Sequence, residues 1–116
     1  MTCRMEELGY CYDYALTDLA GGERTELSLG PRSVEEGTDV FPSVSGNLSR
    51  LCLWSDGEEG CTITIYDTDS QKAVFTWEIA RDAASVTGVT LLGERTLYVS
   101  MHRYSTGGEC LYRVEY

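Results

Sequence analysis

Basic charge is what this sequence has least of. Nine Lys and Arg, of which Lys72 is the one lysine, stand against nineteen Asp and Glu, for a formal net charge of −10. Contact with a nucleic-acid backbone depends on Lys and Arg displacing its counterions, so no direct nucleic-acid partner is expected. Histidine is as scarce: His102 stands alone, and no serine sits in a Gly-x-Ser-x-Gly elbow. Nucleophilic catalysis therefore lacks its usual base, and His102, at a hairpin mouth on the face opposite Leu97 and Val99, reads as a rim residue. Long apolar runs are missing too. No segment approaches the eighteen or so apolar residues of a membrane-spanning helix, and the opening MTCRMEELGY puts Glu6 and Glu7 where a signal peptide needs a basic start and an apolar run. A cytoplasmic chain with no membrane partner is the expectation. The five cysteines, Cys3, Cys11, Cys52, Cys61 and Cys110, include no C-x-x-C pair and leave one over in any disulfide scheme, so reduced core or edge thiols are expected.

Metal and phosphate motifs are lacking as well. Asp67-Thr68-Asp69 and Asp56-Gly57-Glu58-Glu59 gather oxygen ligands without the spacing of an EF-hand loop, and neither Gly21-Gly22 nor Gly107-Gly108 opens a helix whose N-terminus would take a phosphate. No catalytic, cofactor-binding or metal-ligating residue is assigned. The chain is expected to be no enzyme and to carry no cofactor.

What is present is strand signal. At 116 residues and 42% hydrophobic composition, residues 1–116 form one domain able to bury a core. In AVFTWEI (73–79), Ala73, Phe75, Trp77 and Ile79 share one face and Val74, Thr76 and Glu78 the other, the period-two pattern of a half-buried strand. Cys61, Ile63 and Ile65 alternate with Thr62 and Thr64 likewise. Leu51 and Leu53 alternate with Cys52 and Trp54, which makes both faces of that strand apolar and places it between layers. SDGEEG (55–60) and DTDSQK (67–72) supply hairpin turns. Helical pattern is confined to EIARDAAS (78–85), enough for a single turn. The fold is expected to be all-β, with strands at 10–16, 25–29, 41–44, 50–55, 61–66, 73–79, 86–92, 97–102 and 110–116.

The chain also repeats itself. Residues 40–55 and 86–101 match at an offset of 46, pairing Leu51 with Leu97 and Leu53 with Val99; three further hairpin residues carry the offset to 49, where Cys61, Ile63 and Ile65 meet Cys110, Tyr112 and Val114. At 49, Tyr14, Leu16 and Asp18 also precede Ile63, Ile65 and Asp67. Units of forty to fifty residues made of four short strands mark antiparallel propeller-type blades. The order DLAGGERTELSLG…TDVFPSVSGNLSRLCLWSDGEEGCTITIYDTD resembles the repeat of TolB-type, WD40-like propellers, closely over residues 18–69 and loosely over 10–116, although Val44-Ser45-Gly46-Asn47 replaces the family's usual Trp-Ser-Pro-Asp-Gly type of turn. The physics of the turns stands beside the resemblance: Gly46 and Asn47 accept left-handed φ, while Asp18 and Asp67 are placed to bond the amides that follow them.

The repeats, about 10–30, 40–80 and 86–116, make two and a half blades, too few for a ring. The end repeat, 86–116, and the orphan strands at 10–29 are each expected to leave an apolar face or edge that a homo-oligomer or a longer chain must cover, unless the sheets form a self-contained β-sandwich. Function is expected to be that of a non-catalytic scaffold binding a protein through loops and open sheet ends, with Tyr10, Tyr12, Tyr14, Tyr104, Tyr112 and Tyr116 as interface candidates that compete with a plain packing role. Two alternatives follow from size, charge and resemblance: a small acidic inhibitor, of mobile-element type, seated on the basic surface of a nucleic-acid enzyme, or an excerpt of a propeller that gates a peptidase, which would place the chain outside the cytoplasm.

Overall fold

A computed structural model describes residues 2–6, 9–17, 24–27, 33–35, 39–45 and 48–116, with side chains described at 14, 15, 24, 26, 27, 40–45 and 48–116. The described residues contain strands and turns and no helix. An N-terminal sheet holds β1 (Thr2–Glu6), β2 (Gly9–Thr17), β3 (Arg24–Leu27) and β4 (Ser33–Glu35); a central sheet holds β5 (Asp39–Val44), β6 (Arg50–Gly57), β7 (Gly60–Asp67) and β8 (Ala73–Ala80); a C-terminal sheet holds β9 (Ala84–Leu92), β10 (Thr96–Arg103) and β11 (Gly108–Glu115). Every pairing is antiparallel. The central and C-terminal sheets are simple meanders, as expected where two-to-five-residue turns join alternating strands. In the N-terminal sheet, β3 and β4 lie end to end along one edge of β2, opposite β1. The sequence reading lacked β1 and β4, both short. It also placed a helical turn at 78–85, where β8 and β9 instead run through to a tight turn closed by Ala83 N–H on Ala80 O at 3.1 Å.

The three sheets stack face to face as an open, sandwich-like pile, and the central one is covered on both sides. Leu51, Leu53 and Val40 pack back against Tyr14 and Leu27. Cys52, Cys61, Ile63, Ile65 and Ile79 pack forward against Val86, Leu91, Leu97, Val99 and Met101. Ile63, Ile65, Leu97 and Val99 have no exposed surface. Each such side chain adds about 1.5–3 kcal/mol of hydrophobic stabilisation, so the forward layer dominates. The pile is long for its mass: its radius of gyration is 14.9 Å, against about 13.4 Å for a compact chain of this length.

The hairpins correct the repeat. Leu51 pairs with Tyr66 and Leu97 with Val114, so strands aligned 46 apart on β6 and β10 have partners 48 apart on β7 and β11. The second hairpin is two residues longer, where the sequence comparison required three. Side chains alternate with period two, so a one-residue slip exchanges the faces of a whole strand. Cys61, Ile63 and Ile65 face forward, to the next sheet; Cys110, Tyr112 and Val114 share the backward face with Met101, Val99 and Leu97. The forward face of the C-terminal sheet is left with Thr90, Thr96, Tyr98, Ser100, His102, Glu109, Arg113 and Glu115, with the Tyr98 ring half-buried among them, and its large exposed apolar residues are Leu92 and Leu111. The face expected to be apolar at the end of repeat 86–116 is therefore mainly polar. Among the described residues, the outer edge of β11 is unpaired.

Candidate protein-binding surface

One carboxylate organises the turn after β7. Asp67 Oδ1 accepts the backbone N–H groups of Asp69 and Ser70, each at 2.9 Å, and Oδ2 accepts Arg50 Nη1 at 2.7 Å. The Ser70 amide first, then the Asp69 amide and the Arg50 guanidinium, outweigh desolvation and hold the Asp67 carboxyl below its ordinary value of 3.8. Gln71 closes the turn with φ of 59° and its N–H on Asp67 O at 2.8 Å. Thr68, buried, donates Oγ1 to Leu48 O at 2.7 Å and N–H to Ser49 O at 3.1 Å, which ties this turn to the one between β5 and β6. In that second turn the left-handed backbone among the described residues falls on Leu48, with φ of 62°. Asp18, Gly46 and Asn47 lie outside the described residues.

The tyrosines divide. Tyr14 is 3% exposed and belongs to the core between the N-terminal and central sheets. The side chains of Tyr10 and Tyr12 lie outside the described part; their backbones pair with β1. Tyr112 and Tyr116 wedge between the central and C-terminal sheets: Tyr112 stands edge-on to Trp77 at 6.2 Å, with its hydroxyl accepting Arg103 Nη1 at 2.8 Å, and Tyr116 lies at 5.6 Å from Phe75. Burial pushes the Tyr116 hydroxyl up from its ordinary 10.0. Tyr104, 48% exposed at the tip of the β10–β11 hairpin, stands edge-on to His102 at 5.7 Å. Of the described candidates, Tyr104 is the one whose ring is mainly turned to solvent.

His102 and the buried thiols of Cys52 and Cys61 lie on opposite sides of the C-terminal sheet. His102 Nδ1 lies 3.2 Å from Glu109 Oε1 on the polar outer face of the last sheet. Cys52 and Cys61 are buried free thiols; burial above all, with the neighbouring Cys61 adding to it for Cys52 and Asp56 adding to it for Cys61, pushes both up to about 12. Asp56 binds Arg81 Nη2 at 2.8 Å, and the same nitrogen donates to Gly57 O, so Arg81 clamps the β6–β7 hairpin from the far end of β8. Among the described residues, no three His, Cys, Asp or Glu side chains converge to hold a metal ion.

What stays available for contact is apolar surface at edges. Phe41 and Val44 on β5 and the nearby Leu48 are exposed, with Phe41 stacked on Trp54 at 4.4 Å, and a cavity of about 240 Å³ opens beside Val44, Leu48, Leu27 and Tyr14. A second cavity, about 330 Å³, lies between β8 and the C-terminal sheet over Trp77, Ile79, Met101, Arg103 and Tyr112. Leu111, on β11, is 69% exposed, the largest value among the exposed large apolar side chains described. Sequence reasoning passed over it, although a lone leucine between Glu109 and Arg113 on the polar phase of a strand was visible there. No protein family, curated protein or solved structure matches the chain.

Proposed function

We infer that the chain is a non-catalytic scaffold of propeller-type blades, kept as an open stack, which binds a protein partner through its loops and open sheet ends. The partner is a second copy or a longer chain. The observation that carries this is the end of the stack: a central meander of four strands packs against a last meander of three, whose outer face is polar and whose final strand, β11, has one edge unpaired among the described residues. The two meanders pack face to face, with β9 lying across β5, β6 and β7 of the central sheet. A polar outer face removes the need for a further sheet over it, so association falls to edges and loop tips.

The non-catalytic part has a direct test. The sequence holds one histidine and no Gly-x-Ser-x-Gly elbow, so His102 is the residue to remove. Assayed on generic ester, peptide and phosphoester substrates, the purified chain should show no turnover that changes on His102→Ala, and the variant should melt within about 0.5 kcal/mol of the wild type. A turnover that disappears with His102→Ala would overturn the scaffold assignment.

A further inference from the structure

The unpaired edge of β11 has a definite backbone phase. Tyr116 N–H donates to Arg95 O at 2.9 Å, so the backbone groups of Tyr116 point to the β10 side. By the alternation of an antiparallel ladder, those of Val114, Tyr112 and Cys110 do the same, and those of Glu115, Arg113, Leu111 and Glu109 point away, to the open edge. The side chains of these last residues all lie on the polar outer face. Charges along an edge ordinarily discourage a second strand. Here their order admits one.

We propose that β11 pairs antiparallel with β11 of a second copy, about a two-fold axis through Leu111. In that register Leu111 meets the partner's Leu111, and Glu109 and Arg113 face the partner's Arg113 and the partner's Glu109. All three pairs are formed by residues whose N–H and C=O groups point outward, so each exchanges both backbone hydrogen bonds. The most exposed apolar side chain gains an apolar neighbour, flanked by two opposite-charge cross-strand pairs. Glu109 uses Oε1 on His102 and keeps Oε2 for the partner; Arg113 uses Nε and Nη2 on Glu115 and keeps Nη1. Centring the axis on Tyr112 instead would set Glu109 against the partner's Glu115, two carboxylates across one pair. The three-stranded meander becomes half of a continuous six-stranded sheet, and the isologous contact closes on itself, so assembly stops at two. This dimer names one partner for the scaffold described above. Its failure leaves the absence of catalysis, and binding to other chains, untouched.

Sedimentation equilibrium on the purified chain, from below one to some hundreds of micromolar, reads the proposal. The wild type should show a reversible monomer–dimer equilibrium. Leu111→Arg, which sets two guanidinium groups across the axis, should leave monomer throughout with an unchanged circular dichroism spectrum. Glu109→Arg and Arg113→Glu should each weaken the dimer about tenfold, and the two together should restore it to within about threefold of wild type. The Glu109→Arg result is the sharpest: it lowers the repulsion between two acidic chains and would strengthen any nonspecific or Tyr112-centred association, yet it must weaken this one. A wild type that stays monomeric, a dimer indifferent to Leu111→Arg, or a double variant no better than the single ones overturns the proposal and returns the edge to a strand from another protein.

Discussion

At the scale of residues, two positions carry turns that no neighbour replaces. Gly60 opens β7 with φ of +145°, and a Cβ there would run into Ile79 O and crowd the Arg81 amide. Gly60→Ala should therefore destabilise by about 1–3 kcal/mol in chemical denaturation, through strained backbone and a displaced β8 rather than lost contacts. Asp67 acts through charge and hydrogen bonds. Its folded carboxyl titrates below its ordinary value, so its contribution is present above that value and is lost as pH falls through the folded one. Asp67→Ala should melt below the wild type at pH 7, and the gap should close on acidification through and below 3.8. A gap that persists unchanged at low pH would mean the residue acts by packing alone. Asp67 was legible in the sequence as a turn residue because its carboxylate acts on its immediate neighbours. Arg81 was not, since its partners Asp56 and Gly57 lie more than twenty residues away.

At the scale of elements, the strands were legible and their faces were not all so. Period two marks a strand whichever way it points, and each of the nine expected strands overlaps a strand of the structure, that at 25–29 within the described residues 25–27. Facing is set by hairpin length, which local pattern leaves free. The β10–β11 hairpin decides it: Val114 turns inward and Glu115 outward. Val114→Asn should cost about 1–3 kcal/mol, because an amide enters the layer against Leu97 without partners. Glu115→Asn, one residue on, should stay within about 0.5 kcal/mol, losing an exposed pair to Arg113. Equal effects in urea titration would contradict the observed register, and a larger cost for Glu115→Asn would restore the facing that the sequence repeat implied.

At the scale of the whole molecule, the consequence is a pile of three sheets with one doubly covered centre. Two buried thiols sit in that centre, Cys52 and Cys61, pushed up to about 12 and protonated at any neutral pH. Labelling with a thiol reagent at pH 8 should therefore spare both in the native state and reach both on unfolding without reductant, as read by mass spectrometry of the labelled peptides. Native labelling of Cys52 or Cys61 would show that the forward layer opens locally, and failure to label either after unfolding would show a disulfide.

What the sequence determined by itself was local: an all-β chain, its strand positions, the Asp67 turn, and β6 as a strand buried on both faces, because each depends on a few adjacent residues whose period and turn chemistry suffice. Whether each apolar phase faced a neighbour or solvent was decided only in three dimensions. Two extra residues in one hairpin, rather than three, turned Cys110, Tyr112 and Val114 back onto the central sheet and Glu109, Leu111, Arg113 and Glu115 outward. A period-two pattern is unchanged by a slip that exchanges its faces, so the energy separating the two outcomes exists only once another sheet is there to pack against.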